Sequence, residues 1–177
     1  MVGIENTERR RDLTGPTVVK TDKEIAPAVG GSAKFRAFIN AELFAEINKR
    51  YRTTNEKGII GESLAGLFVT ETFLNYPDMF DFYIAFDPSL WWNDKHLLKT
   101  AEQHLQKFPS APKRFWFAGS NAGDISGNVK KLAAILKNNT AGNIQFTFSN
   151  EPKEEHSTIF RATKEKALCW ALTAKVK

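Results

Sequence analysis

Ser63 sits in the pentapeptide Gly61-Glu62-Ser63-Leu64-Ala65, which a short apolar strand (Ile59-Ile60) enters and an apolar helix (Leu67-Phe68) leaves. That pattern fits G-x-S-x-G with alanine in the last place, the strand-turn-helix elbow that lifts a nucleophilic hydroxyl clear of a sheet edge. Such a turn strains the backbone at the serine and leaves no room for side chains two positions away, where this chain has Gly61 and Ala65. The Leu64 amide then stands at a helix N-terminus, where it can donate to an oxyanion. The same residues also describe a serine that only caps a helix. On the pentapeptide alone the two readings stand level.

A serine nucleophile needs a general base, usually imidazole. Of the three histidines, His96 and His104 share a helix with Lys95, Lys99, Glu102 and Lys107, a solvated face where a metal site would need ligands from elsewhere. His156 lies instead in the polar stretch 149–157, between the last strand and the last helix. Alone it reads as a surface histidine; beside the elbow it reads as the base. A third group should orient the ring. Asp124 is the carboxylate of the loop 119–124, and the order Ser63, Asp124, His156 is that of nucleophile, acid and base in α/β hydrolases. Asp124 reads equally well as a helix cap. Asp87, after the preceding strand, is the fallback acid, while Glu154 and Glu155 share the histidine's own loop and are poorly placed for its far nitrogen.

The elements that must position these groups follow from periodicity. Residues 1–4 read as the end of a strand, and a polar loop with Pro and Gly runs from Glu5 to about Ser32; loops of that length usually cover a site. Phe35, Phe38, Ile39, Leu43 and Ile47 recur at helical spacing over 33–49. Strands are predicted at 57–60, 82–86, 114–118 and 143–148, with helices from the elbow to Leu74 and over about 93–107, 126–137 and 160–174. The apolar runs Phe82-Tyr83-Ile84-Ala85-Phe86 and Arg114-Phe115-Trp116-Phe117-Ala118 suit strands covered on both faces. Strands alternating with helices imply an α/β fold, a doubly wound, mostly parallel sheet with helices on both faces. The loops bearing Ser63, Pro88-Ser89-Leu90-Trp91-Trp92, Asp124 and His156 then share the carboxyl edge, where ligands bind.

At 177 residues the chain suits a single domain, 1–177. Hydrophobic residues at 42%, with 14 Phe and 4 Trp, argue for a packed core and against disorder. The formal charge of +5 is scattered, and the one dense run, Arg9-Arg10-Arg11, is followed by Asp12, so no nucleic-acid partner is expected. The single cysteine, Cys169, excludes an intrachain disulfide and falls in an apolar run that suggests burial. No run is long enough to span a membrane and no secretory signal stands at the N-terminus, which leaves the compartment open. The chemistry read from these residues calls for no cofactor and no metal.

Several segments together resemble the C-terminal two-thirds of the "putative esterase" family of α/β hydrolases, which includes enterochelin esterases, esterase D-like enzymes and mycolyltransferases. Val2-Gly3-Ile4-Glu5-Asn6 and Arg9 to Thr14 resemble a strand and an R-x-R-D-L-T-P loop; 60–67 resembles I-G-H-S-L-G-G-L; 83–92 resembles Y-I-A-x-S-P-S-L-W-W; Glu154-Glu155-His156-Ser157 resembles the segment with the catalytic histidine. Glu62 replaces a histidine, Ala65 a glycine and Asp87 a serine of these motifs, and Asn121-Ala122-Gly123-Asp124 is offset by one residue from the family's N-x-E.

The resemblance implies a serine hydrolase acting on small-molecule carboxylic esters or thioesters. Ser63 is the nucleophile, His156 the base, Asp124 the acid and Leu64 the oxyanion donor. Trp91 and Trp92 wall a substrate pocket or anchor their loop in the core; Arg11 and its neighbours meet an anionic substrate group or solvent. The family's earlier strand with its L-D-G loop, which carries a second oxyanion donor, has no counterpart, so an N-terminally truncated fold is expected. Loss of one such donor costs about 2.7–4 kcal/mol in the transition state. An unpaired sheet edge would also offer a route to a homodimer. A silent binding module on the same scaffold, and an acyltransferase, are the alternatives.

Overall fold

The computed structural model describes residues 1–5, 8–139 and 143–173, and the chain divides into two compact units, Met1–Asn55 and Glu56–Lys177. In the first unit the predicted 5–32 loop contains two short helices, α1 (Arg9–Asp12) and α2 (Lys20–Ile25). Neither is long enough to show an apolar period. Side-chain and backbone bonds fix the turn between them: Thr17 Oγ1 donates to the buried Asp22 at 2.7 Å, and the Gly31 and Ser32 amides donate to the Arg11 and Thr14 carbonyls. The predicted 33–49 helix is present as α3 (Ser32–Phe38), a π-helical turn (Ile39–Leu43) and α4 (Phe44–Arg50). The Phe44 amide donates to Ile39 O, five residues back, so the turn carries one extra residue. Residues 1–4 do not form the predicted strand; an apolar tetrapeptide becomes a strand only when a neighbour takes its backbone bonds, and none of the sheet's ladders includes it. Asn6 of the N-terminal motif and Ala174, the predicted end of the last helix, lie outside the described residues.

The second unit alternates β1 (Gly58–Glu62), α5 (Leu64–Asn75), β2 (Phe82–Phe86), α6 (Trp92–Leu105), β3 (Lys113–Gly119), α7 (Gly123–Asn139), β4 (Ile144–Asn150) and α8 (Ile159–Thr173). Among the described residues the sheet has four strands in the order β1-β2-β3-β4, every pair parallel. The α/β class and the parallel sheet are as the alternating pattern implied.

Side chains leave a strand alternately to its two faces, and the apolar runs of β2 and β3 divide accordingly. Ile84, Phe86, Trp116 and Ala118 face α8, where they pack with Ile159, Ala167 and Ala171. Tyr83 and Phe115 face the other way, onto Phe73 of α5, with ring centroids 5.3 and 4.4 Å apart. Gly119, on that same face, lies under Val129 of α7. Burial of each such aromatic contributes about 1.5–3 kcal/mol, and only a sheet covered on both sides can collect it from consecutive residues.

The predicted start of α6 is different in kind. Asn93, Asp94 and Lys95 are left-handed, with φ of 48°, 51° and 61°, and the right-handed helix begins after them. Asn and Asp tolerate that region better than most residues.

Candidate active site

Strand register fixes which residues meet at the carboxyl edge. The β1–β2 ladder ends on the pair Glu62–Phe86, and Phe86 pairs in turn with Ala118 of β3. The next residues, Ser63, Asp87 and Gly119, therefore lie side by side. Two backbone bonds hold the row: Ser63 N donates to Phe86 O and Asp87 N to Ala118 O, both at 3.0 Å.

Ser63 has φ 60° and ψ −119°, a conformation non-glycine residues rarely take. It precedes α5 directly and makes no side-chain cap bond, so the hydroxyl is not spent on the helix. The small residues around it are a steric necessity. A Cβ on Gly61 would stand 2.4 Å from Ala65 O, and one on Gly66 would stand 3.0 Å from Phe86 O and 3.1 Å from Pro88 Cα. Gly61 lets the strand fold back on the helix; Gly66 lets the helix lie against the β2–α6 loop. The first intrahelical bond runs from Leu67 N to Ser63 O, which leaves the Leu64 amide among the helix's leading N–H groups.

The Ser63 hydroxyl meets the imidazole. His156 Nε2 is 3.2 Å from Ser63 Oγ, and Nδ1 is 3.0 Å from Asp87 Oδ2. Asp87 is fully buried, with φ 41°. Its carboxylate accepts from Ser120 N (2.7 Å, to Oδ1) and from Ser120 Oγ (2.5 Å, to Oδ2). All these groups donate to Asp87 when Nδ1 carries the ring proton. That tautomer leaves Nε2 open to accept the Ser63 proton.

The loop that delivers His156 is tied to the loop after β3 on the N-terminal side of the histidine. Glu151 N donates to Gly119 O and Asn121 N donates to Glu154 O, both at 2.9 Å, so the loops after β3 and β4 brace each other. Ser149 Oγ donates to Glu151 Oε1 at 2.5 Å, and Lys166 of α8 reaches both residues. The Ser149 bond first, and Lys166 after it, hold the Glu151 carboxyl below its ordinary range against the opposing effect of burial.

Ser63 and His156 are brought together. Asp124 is not at the imidazole: it lies exposed in the first turn of α7, and its backbone carbonyl accepts from Asn128 Nδ2. The carboxylate behind the ring belongs to Asp87, the fallback. Leu90 and Trp92 are buried and Trp91 is half-buried, its ring tilted on that of Trp92 at 5.8 Å. Arg11 belongs to the first unit, where its Nε donates to Asp12 at 2.8 Å. His96 is exposed; His104 is partly covered, which lowers its affinity for a proton. Cys169 is exposed, not buried: Ala167 and Ala171 take the inward positions of α8. Among the described residues, no group of three or more His, Cys, Asp or Glu could hold a metal ion, and no helix is long and apolar enough to cross a membrane. Ser120, which sequence reasoning passed over, is the residue that holds Asp87; its only signal was its place just after the end of β3.

Comparison with known proteins agrees with this geometry. The family described as "Putative esterase" matches residues 1–170. Ferri-bacillibactin esterase BesA of Bacillus subtilis is 30% identical over 189 residues, covering 97% of this chain and 65% of that protein. The siderophore enterobactin esterase of Emericella nidulans is 34% identical over 82 residues, covering 44% of this chain and 27% of its own length. The chain thus spans less than two thirds of these relatives. Among solved structures, an IroE-like serine hydrolase from Shewanella oneidensis superposes with a TM-score of 0.83 at 24% identity, over 94% of this chain and 57% of that one. The siderophore hydrolase EstB from Aspergillus nidulans gives 0.77 at 18%, over 98% and 68%. At such identities the structural matches speak for the fold.

Proposed function

This chain belongs to the "Putative esterase" family, and from that membership and the Ser63–His156–Asp87 array we propose that it is a serine hydrolase cleaving carboxylic esters or thioesters through an acyl-enzyme. The observation that carries the reading is the 3.2 Å approach of Ser63 Oγ to His156 Nε2, two residues 93 positions apart in the chain. As Ser63 Oγ bonds to the substrate carbonyl carbon, its proton passes to Nε2 and the C=O electron pair moves onto oxygen, facing the Leu64 amide. Collapse breaks the bond to the leaving group, which takes the proton from His156. Water then repeats the sequence on the acyl-enzyme and regenerates Ser63. Asp87 holds the ring in the working tautomer and stabilises its charged form. Half-buried Trp91 is the proposed apolar contact for substrate.

The proposed substrate class is the ester of a siderophore. Its support is that two curated relatives matching this chain are esterases of siderophores, ferri-bacillibactin and enterobactin. The test pairs a fluorophosphonate probe with enterobactin hydrolysis followed by mass spectrometry. Wild-type protein should be labelled and Ser63→Ala should not; equal labelling of the mutant removes Ser63 from its role. Cleavage of a simple aryl ester but not of enterobactin would keep the hydrolase and discard the siderophore.

A further inference from the structure

The β2–α6 loop grips the elbow through one residue. Ser89 is 2% exposed. Its amide donates to Ser63 O at 3.1 Å, its carbonyl accepts from Trp92 N at 3.1 Å, and its hydroxyl lies 3.4 Å from Ser63 Oγ. Among the described residues that hydroxyl has no other partner. A serine hydroxyl offers one proton and two lone pairs. The Ser63 proton is directed to His156 Nε2, so the Ser89 hydroxyl is left as donor and Ser63 Oγ as acceptor.

We propose that Ser89 is a further catalytic residue of this site, its hydroxyl donating to Ser63 Oγ and stabilising that oxygen whenever it carries alkoxide charge. The inference rests on the reading of Ser63 as the nucleophile. At 3.4 Å the contact is long for two neutral hydroxyls. Bonds of this kind shorten and strengthen when one partner becomes anionic, and catalytic hydrogen bonds are often loose before substrate arrives. Negative charge builds on Ser63 Oγ twice per turnover: as its proton passes to His156 during attack, and as the acyl group departs in deacylation. In the acyl-enzyme between them the same atom is an ester oxygen and a poor acceptor. Ser89 therefore favours both transition states over the covalent intermediate, which is what a catalytic contact must do. The Ser89 amide bond to Ser63 O keeps its hydroxyl in place throughout.

The experiment uses the full chain and measures the second-order rate of fluorophosphonate labelling, the burst and steady-state rates on p-nitrophenyl acetate, and thermal stability. Ser89→Ala is expected to slow labelling, acylation and deacylation each by about 10- to 100-fold, the range for a hydrogen bond to a charged group, with KM little changed. Ser89→Thr and Ser89→Val carry the same added bulk and differ by the hydroxyl, so Thr should label faster than Val by a similar factor. Folded Ser89→Ala reacting at the wild-type rate, or Thr and Val equally slow, would overturn the proposal and leave the nucleophile reading standing. A wild-type chain that the probe never labels would overturn both.

Discussion

Replacing Asp87 by asparagine tests which strand end supplies the acid, and the structure dictates how the variant must behave. Asp87 accepts from three donors, Ser120 N at 2.7 Å, Ser120 Oγ at 2.5 Å and His156 Nδ1 at 3.0 Å. An amide has one oxygen and one NH2. The Ser120 backbone N–H cannot turn away, so the amide oxygen must face it, and the NH2 is forced toward the imidazole. Nδ1 then becomes an acceptor, the ring proton moves to Nε2, and Nε2 can no longer take the proton of Ser63. An acid-to-amide change of this kind lowers kcat by about 10⁴-fold in a serine triad, about 5.4 kcal/mol at 1.36 kcal/mol per decade.

Asp87→Ala loses the charge but imposes no tautomer, so it should retain more activity than Asp87→Asn. Asp124→Asn, at an exposed position away from the ring, should leave the rate unchanged. The assay is steady-state hydrolysis of p-nitrophenyl acetate, with circular dichroism confirming the fold of each variant. A folded Asp87→Asn protein turning over at the wild-type rate, or an equal loss in Asp124→Asn, would refute the tautomer reasoning and return the acid to the loop after β3.

Two further outcomes follow from the elbow and its supports. Gly61→Ala puts a Cβ 2.4 Å from the Ala65 carbonyl oxygen, an overpacking expected to cost about 1–3 kcal/mol and to slow probe labelling because it displaces Ser63; a melting point and labelling rate equal to wild type would contradict it. Glu151→Gln tests the brace under the His156 loop. The Glu151 carboxyl is held below its ordinary range in the fold, so its stabilisation is complete above the unfolded value, about 4.3, and fades as pH falls through the lower folded value. The melting-point deficit of the variant at pH 7 should therefore close on acidification, and a deficit unchanged down to pH 3 would show that the charge is not what holds the loop.

The parts of this molecule legible in the sequence are those governed by local pattern. The apolar runs at 82–86 and 114–118 suit strands covered on both faces, and observed β2 and β3 match them or extend them by one residue at each end. Gly61 and Ala65 mark the elbow because the turn excludes larger side chains. The acid was harder: Asp87 and Asp124 both follow strands, and the choice depends on which carboxylate lies behind Nδ1 of a ring delivered by a third loop. The short helices at 9–12 and 20–25 and the left-handed turn at 93–95 left no periodic trace, since one turn of helix contains too few residues to repeat. The apolar run around Cys169 suggests burial, but on α8 the inward stripe falls on Ala167 and Ala171 and leaves Cys169 outside.

The position of the acid follows from the path the imidazole takes. His156 comes from the loop after β4, yet its Nε2 meets Ser63 at the end of β1, so that loop carries the residue across the ends of the two strands that lie between. A carboxylate behind Nδ1 can therefore come from the end of β2 or of β3. Here the two ends divide the work: β2 supplies Asp87, and β3 supplies Ser120, whose amide and hydroxyl both donate to it. Asp87 takes φ 41° and Ser63 takes φ 60°, conformations that cost about 1–3 kcal/mol each. Neighbouring backbone holds both, since Ser63 N bonds to Phe86 O and Asp87 N to Ala118 O. Strain at the nucleophile and at the acid is thus carried by one continuous row of parallel-strand hydrogen bonds, so a substitution that loosens β2 should disturb both residues together.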